Sequence, residues 1–145
     1  MKKDHVVSLA FLLPLAAVLV GCVGHVITTA DFVGTWTATT WTETNLASPD
    51  QKVDVIALGG GWTITIASDG SYTGTVVLPG PVTVPVSGTS TILSNSSMVV
   101  QQGASTFNIT YTLSGNTWTL THTDGTYDFS GSAVPSRQEI TAIRS

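Results

Sequence analysis

Residues Thr106–Gly131 read TFNITYTLSGNTWTLTHTDGTYDFSG, and this stretch decides the fold class. Phe107, Ile109, Tyr111 and Leu113 alternate with Asn108, Thr110 and Thr112, the period of two of a strand with one apolar face. Ser114-Gly115-Asn116-Thr117 predicts a turn. Trp118, Leu120 and His122 then share a face, and Asp124-Gly125-Thr126 predicts a second turn before Tyr127 and Phe129. Consecutive strands joined by such short turns are antiparallel hairpins.

The pattern extends in both directions. Upstream, Trp62, Ile64 and Ile66 lie on one face of WTITIA, Asp69-Gly70 is a hairpin turn, and Tyr72, Val76 and Leu78 return on one side of SYTGTVVL. Phe32–Trp41, Ser96–Gln101 and Arg137–Arg144 read as further strands, while Gln51–Leu58 is either a strand or part of a long loop. Pro79, Pro81 and Pro85 suggest a sheet edge, a corner or a crossover, because proline cannot donate to a ladder. Only Pro135–Ile140 suggests a helical turn. The expectation is an all-β domain over residues 31–145: an antiparallel up-and-down meander of about eight strands that closes into a small barrel and so removes its edges. Two packed sheets are the alternative.

Composition agrees. Threonine, glycine, serine and valine dominate, and β-branched residues suit a pleated surface. From Cys22 onward, Lys52, Arg137 and Arg144 stand against eight acidic side chains, a net charge of −5. That balance excludes the basic stripe that nucleic acid demands.

The first 22 residues have a different character. Lys2 and Lys3 precede an apolar run from Val6 to Val20, 15 residues against the roughly 20 of a spanning helix. This is the pattern of a secretory signal peptide over residues 1–21. Leu19-Val20-Gly21-Cys22 resembles the lipobox of bacterial lipoproteins. The resemblance implies that Cys22, the only cysteine, receives diacylglycerol and fatty acyl chains such as palmitate and becomes the first mature residue. Residues 22–30 then form the lipidated N-terminus and a tether. With Val23 rather than Asp after the cysteine, the resemblance implies an envelope location, at the outer membrane facing the periplasm where the cell has two membranes.

Asp31–Thr39, DFVGTWTAT, with its Gly34-Thr35-Trp36, resembles the opening strand of lipocalins and related calycins. The mature chain is also similar to small bacterial lipocalin-like lipoproteins. That resemblance implies a barrel-floor pair, Trp36 crossed by an arginine on the last strand. Arg144 is the candidate and Arg137 the competitor. A guanidinium over an indole is favourable in itself.

Trp36, Trp41, Trp62 and Trp118 line a pocket or fill a core, since a barrel of eight strands is wide enough for either. Trp62, Tyr72, Phe107, Tyr111 and Trp118 are the expected lining of a ligand pocket. His122 and Asp124 share a face in an unbroken strand, but no third partner marks a catalytic or metal site. No nucleophile elbow, calcium loop or phosphate loop is present. Neither an enzyme activity, a cofactor nor a metal is therefore expected. Two readings stay open: a membrane-anchored barrel that binds a small apolar ligand, and an accessory lipoprotein with a filled core that binds an envelope protein.

Overall fold

Alternating apolar residues dictate strands throughout the domain, and the strands need somewhere to hide one face. The structure, a computed structural model, describes residues 24–80 and 82–145. Cys22 and the expected leader lie outside the described residues. After a short 3₁₀ turn at Thr29–Phe32, nine strands follow: β1 (Gly34–Asn45), β2 (Lys52–Asp54), β3 (Gly61–Ile66), β4 (Ser71–Leu78), β5 (Val82–Ser94), β6 (Ser97–Gln102), β7 (Ser105–Ser114), β8 (Thr117–Asp128) and β9 (Ala133–Arg144).

From β3 to β9 each strand pairs antiparallel with the next. β1 pairs with β3 on one side and β9 on the other, from Trp36 opposite Arg144 to Asn45 opposite Ser136. The sheet thus closes as an eight-stranded antiparallel barrel of meander order. The three-residue β2 lies beside the far half of β1, on the edge that β3 leaves free.

Of three β-bulges, the one between Ile92 and Ser94 lies beside the β5–β6 turn, and the other two set which side chains of β1 and β8 point into the barrel. β1 holds one extra residue between Ala38 and Thr40. The inward set therefore changes from Trp36 and Ala38 to Trp41 and Glu43, as a bulge requires. β8 holds another between His122 and Gly125. The expected turn at Asp124-Gly125-Thr126 is this bulge. β8 runs through it to Asp128, and the chain reverses only beyond Phe129.

The prolines make no crossover. β4 and β5 form an ordinary hairpin with Leu78 opposite Val82, and Pro85 pairs with Thr75. β6 begins to pair only at Thr89, so Pro85 sits where the other edge of β5 is free and its missing N–H costs nothing. Pro135–Ile140 is strand, not a helical turn.

One end of the barrel is closed by aromatic packing. Phe32 meets Tyr111 and Trp118 edge-on at 5.1 and 5.2 Å, and Trp36 meets Trp118 at 5.6 Å. The Trp36 indole donates to the Phe32 carbonyl at 2.7 Å. The Arg144 guanidinium lies 5.1 Å over the Trp36 ring and donates to the carbonyls of Asp31 (2.9 Å) and Val33 (3.3 Å) and to the side-chain oxygen of Asn116. Gly34 makes room for this arginine. Its φ of +130° suits glycine, and a Cβ there would approach the Arg144 Cδ to 3.0 Å. Arg137 is elsewhere, paired with Glu139 at 3.4 Å.

Part of the expected tether is bound to this closed end. The Ile27 N–H donates to Asn95 Oδ1, Asn95 Nδ2 donates to the His25 carbonyl, and the His25 ring contacts Asp31 at 2.9 Å. The bonds from Thr28 and His25 hold the Asp31 carboxyl below the usual carboxylate range.

Candidate binding site

Beyond the aromatic floor the interior is open. A cavity of about 600 Å³ occupies the barrel, within the range of small-ligand sites. Its walls follow from the period of two. Every second residue of each strand faces inward, and the sequence places apolar residues at most of those positions. β3 supplies Trp62, Ile64 and Ile66; β4 supplies Tyr72, Val76 and Leu78; β5 supplies Val84 and Val86. Met98 and Val100 of β6, Phe107 and Ile109 of β7, Trp118 and Leu120 of β8, and Ile140 of β9 complete the apolar wall.

Four of the five expected lining residues, Trp62, Tyr72, Phe107 and Trp118, border this cavity. Tyr111 does not. It shares its face with Phe107 but lies two steps nearer the closed end, packed on Phe32, with its hydroxyl donating to the Ser94 carbonyl at 2.7 Å. Trp36 is likewise part of the floor, whereas Trp41 lines the cavity.

Tyr72 lies flat along the wall. Its hydroxyl donates to Gln102 at 3.2 Å, two strands away. The ring passes over Gly88 so closely that a Cβ there would stand 2.8 Å from the hydroxyl oxygen.

Farther from the floor, beyond Trp41, Leu120 and Ile140, the wall made by β1, β8 and β9 turns polar. Glu43, opposite Gln138, is 3% exposed. Its carboxylate accepts from Trp41 Nε1 (2.9 Å), Gln138 Nε2 (2.9 Å) and Ser136 Oγ (2.8 Å). Gln138 is in turn opposite His122, which is buried and meets Phe107 edge-on at 5.2 Å. His122 Nε2 and Trp118 Nε1 are buried without a hydrogen-bond partner among the described residues. Burial, then the charges of Glu43 and Asp128, push the Tyr127 phenol upward. Burial does the same to Tyr72 and Tyr111, with Asp31 adding to the effect at Tyr111.

The bulge separates His122 from Asp124. The ring lines the cavity while Asp124 is exposed on the outside, so they form no acid–base pair. Sequence reasoning missed Glu43 and Gln138. The spacing of Glu43 from Trp41 puts both on one face, but the bulge before Trp41 hides which face that is.

No protein-family model matches the chain, and no curated protein matches it. The closed eight-stranded antiparallel barrel is consistent with a lipocalin-like architecture.

Proposed function

We propose that this protein is a lipocalin-like envelope lipoprotein, anchored through Cys22, whose barrel binds a small apolar molecule without transforming it. One observation carries the reading: the inward faces of the strands enclose about 600 Å³ of mostly apolar space instead of filling it. Removing an apolar guest from water is favourable by about 25 cal/mol per Å² buried, less the cost of immobilising it. The accessory-protein alternative needs an interior packed with side chains, and the open interior supports binding over it.

The anchor reading rests on the resemblance of Leu19–Cys22 to a lipobox. The path of the chain gives it a geometry. His25 is held to the closed end through Asn95, and it lies three positions along the chain from Cys22, a reach of about 10 Å at most. A lipid on Cys22 would therefore hold the closed end near the bilayer and turn the mouth away from it.

Trp62 and Trp118 meet edge-on at 5.6 Å in the cavity wall, so indole emission reports occupancy. Titration with apolar molecules of graded length should change that emission saturably. Emission that stays flat across the series in a folded sample refutes the binding reading and favours the accessory one.

A further inference from the structure

We infer that the guest is a neutral amphiphile, an apolar chain bearing an uncharged hydroxyl or carbonyl group, held at its polar end by His122. The inference rests on the cavity being a binding site and adds the chemical class of what binds.

The cavity is apolar on most sides but not uniformly. On β4, β5 and β6 its polar groups are already bonded, Tyr72 to Gln102 and Ser90 to the Gly70 carbonyl; on β1, β8 and β9, Glu43, Gln138 and His122 stand side by side across three strands. Glu43 already receives three donors. Two lining groups lack a partner among the described residues, Trp118 Nε1 against the aromatic floor and His122 Nε2 beside Gln138; the indole can only donate, whereas the imidazole, 8% exposed, offers a nitrogen that donates or accepts. A buried polar group without a partner is costly, and a guest with a hydroxyl or carbonyl group relieves that cost. A plain hydrocarbon leaves it in place.

The head carries no negative charge. Among the described residues no lysine or arginine lines the cavity, while Glu43 does. A space of this volume is about 10 Å across, and two like charges about 12 Å apart at an effective dielectric near 20 repel by a factor of about ten. A carboxylate drawn into the barrel would meet that repulsion after losing its hydration. An ammonium head would be attracted by a comparable factor, against the loss of its hydration and with three donors already on the Glu43 carboxylate; decylammonium binding as tightly as decanol would overturn the neutral assignment.

The test compares decane, 1-decanol and decanoate, at a pH that fully ionises the acid, by displacement of a fluorescent apolar probe from the full-length protein. Decanol should bind about three- to tenfold tighter than decane, the value of one hydrogen bond, and at least about tenfold tighter than decanoate. His122→Phe should level decanol with decane, and Glu43→Gln should bring decanoate closer to decanol. If decanoate matches decanol, or decane does, in the unsubstituted protein, the inference is overturned while the cavity remains a binding site. If all three fail to displace the probe, the binding reading itself falls. The unsubstituted protein alone decides these outcomes, so a variant that does not fold leaves the test intact.

Discussion

Replacing Arg144 with alanine removes the clasp that joins the two ends of the barrel sequence. The guanidinium contributes a cation–π contact to Trp36 at 5.1 Å, worth about 0.5–1 kcal/mol where partly exposed. Its bonds to the Asp31 and Val33 carbonyls add about 0.5–1 kcal/mol each. The two bonds to Asn116 lie at the surface and add little. The loss should be about 2 kcal/mol, read as a lower urea midpoint at constant slope, since a changed slope would mean a changed unfolded state. For a domain of this size, that is a fall in Tm of about 5–10 °C. Arg144→Lys keeps the charge but not the planar fork and should recover less than half of the loss. A deficit below about 0.5 kcal/mol for the alanine variant, or full recovery by lysine, would refute the assignment of Arg144 as a structural clasp.

Cys22→Ser should abolish fatty-acid labelling of the protein in cells; equal label on variant and parent would remove the anchor from the proposal. Gly88→Ala places a methyl group against the Gln101 carbonyl and the Tyr72 ring. It should cost about 3 kcal/mol by overpacking, since the carbonyl is backbone and cannot rotate away, a loss read in urea unfolding; a neutral result would contradict the close approach of β5 to β6 at Gly88. All three tyrosines have phenols raised chiefly by burial, so the fold favours their neutral form. The resulting stability is complete below the ordinary phenol value near pH ~10 and is lost as pH rises through the raised native values. Tyrosinate absorbance should thus begin at higher pH in native than in urea-unfolded protein, and coincident curves would contradict the burial.

The meander was legible because each hairpin is local: Trp62–Ile66, Tyr72–Leu78 and Phe107–Leu113 show their faces by alternation alone. The bulges were not. An extra residue at Thr39 or after His122 reverses the parity of everything beyond it; nothing in the residue types signals the first, and the Asp124-Gly125 that marks the second reads equally as a turn. Hence Glu43 was overlooked, and His122 and Asp124 were placed on one face. Alternation also gives the face of a residue but not its depth along the barrel. That is why Tyr111 was grouped with Phe107 although it belongs to the floor. Whether inward residues meet or leave space depends on how the opposite walls approach, which no single strand encodes. Cys22 and the leader lie outside the described residues, and the lipobox resemblance alone speaks for them.

The seam between β1 and β9 also governs when this protein can fold. Its clasp joins Arg144 to Asp31, 113 residues apart. Bringing such distant positions together costs about 4 kcal/mol of chain entropy, roughly twice the cost for a ten-residue loop. The hairpins from β3 to β8 and the short β1–β3 ladder can form early, but the long β1–β9 seam must wait for the twelve residues of β9. Until then the nascent molecule is an open ribbon with two raw edges, the state most prone to pairing with a neighbour. The cavity comes into existence in one late event, when β9 closes the sheet on β1.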